Sequence, residues 1–224
     1  MASQTSSPND ELLGRTAPAL LAGMSEDAKN VFLSWQRYLL MLTSFSIPLS
    51  AMVLAGSGIA TQTAWGSSCG MHSATAYTLS LPVSRARLIG VRSVVGLSLL
   101  VVVILVHIAV ATVVGWQSGA LKEGSSLLAL LGPTILGGAV YYSVAVFLGS
   151  FLSESVAQLG TLALTGAVTG YSMAGGPGWF NISAFMRGQE SLLGLGATVT
   201  PVVYLAFAVA MMVGAWWILS RKEY

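Results

Sequence analysis

The sequence predicts an all-α, polytopic membrane helix bundle. Two properties of the 224-residue chain carry that expectation first: 54% of its residues are hydrophobic and only 8% are charged, whereas a soluble domain carries about 25% charge. The third is that the apolar residues are gathered in runs near the roughly 20 residues a spanning helix needs. A net charge of +2 on scattered basic residues is too small to point to nucleic acid. The single cysteine, Cys69, permits no internal disulfide and has no partner for a metal site.

Taken in order, residues 1–38 read as a polar or interfacial N-terminal segment. The first ten residues lack the basic and apolar regions of a secretory signal. A short apolar patch at 17–24 cannot span, and Ser25-Glu26-Asp27-Ala28-Lys29 reads as a helix start capped by Ser25. Residues 39–224 read as a transmembrane domain with spans at 39–60, 94–116, 127–152, 156–173 and 199–219. Pro48 lies inside the first of these and is tolerable there because neighbouring helices can satisfy the freed carbonyl. Gly160, Gly166 and Gly170 are expected to let helices pack closely. Gly175-Gly176-Pro177-Gly178 ends the fourth span sharply. After it, residues 182–195 mix apolar side chains with Arg187, Gln189 and Glu190 and read as a re-entrant or interfacial segment.

The loops orient the bundle. Arg85, Arg87 and Arg92 place the first polar loop in the cytoplasm, and Arg221-Lys222 places the C-terminus on the same side. The loop at 117–126 carries Lys122 balanced by Glu123 and falls outside, as does 175–198. By the same count residues 1–38 are extracytoplasmic.

Residues 77–92 form the one long polar and basic interruption. Leu79, Leu81 and Val83 alternate with Ser80, Pro82 and Ser84, and Pro82 disfavours a continuous helix. The arginines alone are explained equally well as topological signals touching lipid phosphates; the Leu-Ser-Leu-Pro-Val-Ser run before them is not. Leu81-Pro82-Val83-Ser84-Arg85 followed by Ala86-Arg87-Leu88 resembles the signature of the type-2 permeases of ATP-binding-cassette transporters, in which a cytoplasmic Leu-Pro-x-Ser-Arg segment follows a short coupling helix. Family members usually carry a carboxylate and a Gly-Thr or Gly-Ser pair shortly upstream, whereas the stretch 67–76 here holds no carboxylate. The resemblance extends in layout over residues 40–224 and includes the aromatic, then basic, C-terminal end. It implies a six-span fold with both termini in the cytoplasm, of which this chain shows five spans and lacks the first. A complete five-span protein with interfacial N-terminal helices is the alternative.

The resemblance makes the 71–92 segment a coupling surface, with Tyr77, Leu79, Leu81, Pro82, Ser84, Arg85 and Arg87 as the residues expected to meet an ATP-binding subunit. A short apolar-faced helix there drops into a groove on the cassette and turns cassette closure into tilting of the spans. Glu154 is a secondary contact on that reading; on the simpler one, Ser153 caps the next helix and Glu154 faces the positive end of its dipole. His107, in mid-span, is a possible intramembrane polar site, although an imidazole hydrogen-bonded to a neighbouring helix accounts for it more simply. Gly170-Tyr171-Ser172 lacks the second glycine of intramembrane serine proteases, since Met173 follows.

No Gly-x-x-x-x-Gly-Lys-Ser/Thr loop is present, so the chain is expected to hold no cofactor and perform no catalysis, with ATP and Mg on a partner subunit. The favoured expectation is therefore the membrane-spanning permease subunit of an ATP-driven exporter, working with ATP-binding subunits and a second permease copy or a sister permease. Its place would be a prokaryotic plasma membrane. A non-transporting scaffold is the alternative; a secondary carrier is disfavoured because the spans show neither an internal repeat nor buried charge pairs.

Overall fold

A computed structural model describes residues 35, 38–39, 41–56, 85–117, 127–152, 154–173, 182–187 and 199–221. The described residues are all helical apart from short turns. A π-helical turn, Leu42–Ser46, opens α1 (Ile47–Gly56). The long α2 (Arg85–Gln117) follows, and a 3₁₀ turn, Leu127–Leu130, leads into α3 (Leu131–Gly149). Then come α4 (Glu154–Met173), the short α5 (Ile182–Met186) and α6 (Val199–Arg221). Three segments are long and apolar enough to cross a membrane: Gly90–Gln117, Leu127–Gly149 and Val199–Ile218.

α3 is the axis of the bundle and packs against every other helix. Residues 140–146 are buried without interruption, the signature of a helix apolar all round and surrounded by protein. Tyr142 is seated against Gly96 of α2, and Gly138 faces Leu100 and Ile104 of α2 together with Ile47 of α1. Phe147 lies against Gly214 of α6. These pairings run α2 antiparallel and α6 parallel to α3. They gather the start of α2, the end of α3, the start of α4 and the end of α6 at one end of the bundle. Arg85, Arg87, Arg92 and Arg221 all belong to that end, as expected from their positions in the chain. Outward-facing Val94, Val95, Leu99, Val102, Leu105 and Val106 on α2 and Val202, Leu205, Val209 and Val213 on α6 make an apolar exterior suited to lipid. Exposed Trp116 at one end and Trp216 and Trp217 at the other fall where amphipathic rings favour the interface.

α4 has 20 residues, roughly 30 Å at 1.5 Å per residue, but is diluted by threonine and glycine. Two of its threonines are hidden all the same. Ala157, Thr161 and Thr165 form a buried stripe at helical spacing while Leu159, Leu162 and Leu164 face outward. Thr161 Oγ1 donates to Ala157 O and Thr165 Oγ1 to Thr161 O, each at 2.8 Å, so neither hydroxyl needs water.

Several local expectations are revised. Pro48 is preceded by a π-helical turn. It has no N–H, and its ring crowds the carbonyl four residues back; the preceding turn widens so that the Ile47 N–H reaches Leu42 O, a local π adjustment. Close glycine contacts fall at Gly96, Gly137, Gly138 and Gly214, whereas Gly160 meets Leu148 only at 3.7 Å and Gly166 has nothing within 4 Å. The helix carrying the arginines starts at Arg85, ahead of the apolar run at 94. Trp35, within the segment read as polar, is a buried helical residue whose Nε1 donates to Ala111 O of α2 at 3.2 Å.

Candidate functional site

Two polar regions stand out from the apolar bundle. The first is the basic end. Arg85 is the first residue of α2 and Glu154 the first of α4. Arg87 is exposed and Arg92 half-buried one to two turns further along. The Arg221 guanidinium lies 3.9 Å from the Trp217 ring centroid, a cation–π arrangement that anchors a helix end at an interface. The remaining residues expected to couple, Tyr77, Leu79, Leu81, Pro82 and Ser84, lie outside the described residues, as does Ser153. The structure thus places two of the arginines and Glu154 at one end of the bundle, where Arg87 is exposed.

His107 is half-buried in α2. Its Nδ1 lies 2.8 Å from Val103 O, and because a carbonyl only accepts, Nδ1 carries the proton. The bond is to its own helix, one turn back, and not to a neighbouring helix as expected; the back-bond is available because the Val103 carbonyl projects toward the ring. His107→Leu is expected to leave the melting temperature in detergent nearly unchanged, since a hydrogen bond of this kind contributes about 1 kcal/mol and leucine replaces it with apolar contact.

The second region is built around α5. Met186 is fully buried against Gly137, and Ile182 touches the same glycine. Thr134 Oγ1 donates to Met186 O at 3.2 Å, and Phe185 packs on Tyr204 of α6 with ring centroids 4.8 Å apart. The short helix therefore lies alongside α3 within the bundle. Arg187, next in the chain, donates from Nη1 to Thr43 Oγ1 at 3.1 Å. Thr43 in turn donates to Leu39 O at 3.0 Å. Thr134 sits roughly 10 Å along the Leu127–Gly149 span at 1.5 Å per residue, and its bond to Met186 O brings the backbone next to Arg187 to that level. An ionisable group at that depth marks function by default.

Three further buried hydroxyls come from the π-helical turn, α3 and α5. Ser44, Tyr141 and Ser183 are 0%, 3% and 2% exposed. The hydroxyls of Tyr141 and Ser183 lie close enough to bond to one another. Ser44 Oγ makes no hydrogen bond, and a buried hydroxyl left so costs about 1–3 kcal/mol. Ser93 Oγ is likewise unpartnered but lies beside Arg92 at the basic end.

Sequence reading named Arg187 only as one polar residue of a surface-dipping segment and did not single out Thr43, Ser44, Tyr141 or Ser183. The available signals were an arginine directly after the apolar run 182–186, and the Thr43-Ser44 pair just ahead of Pro48. Neither says that the two segments meet.

Fold and polar regions together define an all-α, multi-span membrane helix bundle. No protein-family model matches the chain, and comparison with curated proteins and with solved structures returned no match.

Proposed function

We propose that this chain is the membrane-spanning permease subunit of an ATP-driven exporter of the type-2 ATP-binding-cassette kind. The observation that carries the reading is Leu81-Pro82-Val83-Ser84-Arg85, whose last residue opens α2 at the end of the bundle where the basic residues gather. A motif of this kind attached directly to a 33-residue helix has the lever a cassette needs: a push at the segment tilts the whole of α2. On this reading α1 and α4 complete a five-span bundle, the basic end faces the cytoplasm, two copies or two sister chains form the path, and hydrolysis of ATP occurs on a partner chain. The position of α5 alongside α3, ahead of the last helix, suits the re-entrant element of that layout.

The test is affinity purification of the tagged chain in mild detergent, with an ATPase assay and identification of what accompanies it. An ATP-binding subunit is expected to co-purify, and Leu81→Ala, Pro82→Ala and Arg85→Ala together are expected to reduce its recovery about tenfold or more, as loss of central interface contacts does. Recovery of the chain alone, with no ATPase activity, would sink this reading and favour the non-transporting scaffold, which the missing carboxylate in 67–76 also favours.

A further inference from the structure

We propose that Trp35, Thr43 and Arg187 form a mechanical link that ties the position of α5 to the tilt of α2. It rests on the permease reading only for the source of a push on α2; the link itself is a property of this chain.

Three hydrogen bonds between different elements stand in series. Trp35 Nε1 donates to Ala111 O of α2 at 3.2 Å, Arg187 Nη1 donates to Thr43 Oγ1 at 3.1 Å, and Thr134 Oγ1 of α3 donates to Met186 O at 3.2 Å. The first two meet on one stretch of chain. Tyr38, Leu39 and Met41, between Trp35 and the π-helical turn, are themselves helical, and Thr43 is bonded back to Leu39 O. What moves Trp35 therefore moves Thr43, and with it the residue that follows α5.

α2 has the form of a lever. It is clamped to α3 at Gly96, where Tyr142 is seated, and at Leu100 and Ile104, which meet Gly138. From Gly96 the helix runs roughly 16 Å to Arg85, and from Ile104 it runs roughly 10 Å to Ala111, at 1.5 Å per residue. A push at Arg85 pivots α2 about the clamp and swings Ala111 the other way. The π-helical turn sets the phase of the link. Ile47, just after it, faces Gly138, and with one residue fewer in that turn Trp35 would be rotated by about 100° relative to Ile47 and would turn away from Ala111.

At the far end of the link is a two-state element. α5 has five residues and is either docked in the Gly137 notch or released from it, so a displacement of Thr43 biases that equilibrium.

The test uses the full chain in mild detergent, with maleimide labelling of Ser183→Cys in a Cys69→Ser background as the report on α5. Trp35→Phe keeps an aromatic ring and removes the donor; Thr43→Val keeps the shape and removes the hydroxyl. Labelling is expected to accelerate about fivefold in Trp35→Phe and about tenfold in Thr43→Val, the fold-changes of one neutral and one charge-assisted hydrogen bond. The double variant is expected to label no faster than Thr43→Val, since a link cut twice transmits nothing more. Gly214→Val, which crowds Phe147 near the basic end, measures general loosening and is expected to lower the melting temperature without changing labelling. Unchanged labelling in Trp35→Phe, multiplied effects in the double variant, or equal acceleration in Gly214→Val would overturn the link. The source of the push is read separately. In complex with the ATP-binding subunit, ATP is expected to change labelling about threefold or more, and to leave it unchanged in Thr43→Val. ATP that changes nothing, or a change that persists in Thr43→Val, would overturn the link as the route of that push. Failure to recover such a subunit sinks the permease reading, and the labelling of the chain alone still decides the link.

Discussion

Valine at position 137 is expected to lift α5 off α3. A Cβ there would lie 2.7 Å from Met186 Sδ and 3.3 Å from Ile182 Cγ2. Alanine is survivable because the methionine chain can swing aside. Valine adds methyls on both flanks, and Ile182 closes the second exit. Overpacking of this sort costs about 1–3 kcal/mol. A displaced α5 also forfeits the Thr134–Met186 and Arg187–Thr43 bonds, the second of them charge-assisted and contributing about 1.5–3 kcal/mol. A helix of five residues has few backbone bonds of its own, so local release precedes global unfolding. The measurement is maleimide labelling of Ser183→Cys in a Cys69→Ser background. Slow labelling with Gly137 and acceleration of about tenfold or more with valine are expected. Equal protection in both would show that α5 is held by something other than the Gly137 notch.

The second large effect is at Gly96. A Cβ at this position would come within 2.8 Å of Tyr142 Cζ and 2.9 Å of its Cε2. Tyr142 is 2% exposed and its flat ring has no flexible end to withdraw. Gly96→Ala is therefore expected to cost about 1–3 kcal/mol and Gly96→Val more, read as a lowered melting temperature in detergent. Adding Tyr142→Val to Gly96→Ala should recover part of that loss, so the double-mutant cycle gives a coupling of about 1 kcal/mol or more. Additive losses would mean that α2 and α3 do not meet at this pair.

The spans of α2, α3 and α6 were legible because a long apolar run without charges has one stable use in a membrane. The start of α2 was not, because hydropathy marks where lipid begins and not where the helix does. Arginine is a good helix former and its long chain can carry the charge to the interface, so α2 begins at Arg85 while its apolar part begins later. Pro48 was recognised as a disturbance, but the form of its accommodation depended on how the preceding turn widened. The coupling residues from Tyr77 to Ser84 were legible only as a motif, and they lie outside the described residues. Arg187 was visible as a charge; its contact with Thr43, 144 positions away, was not.

By itself the sequence determined that this chain is an all-α membrane bundle, which segments of α2, α3 and α6 are apolar enough to cross, and that Arg85, Arg87, Arg92 and Arg221 share one end. Only the tertiary structure decided which face of each helix meets which neighbour. In water, burial sorts apolar from polar residues and leaves a periodic trace in the sequence. In lipid the outside of a helix is as apolar as the inside, and association is driven by close packing and hydrogen bonds. A methyl added at Gly90 or Gly132 would meet nothing within 4 Å, while Gly96 and Gly137 have no room for one. The four are the same residue, and only the neighbouring helix distinguishes them.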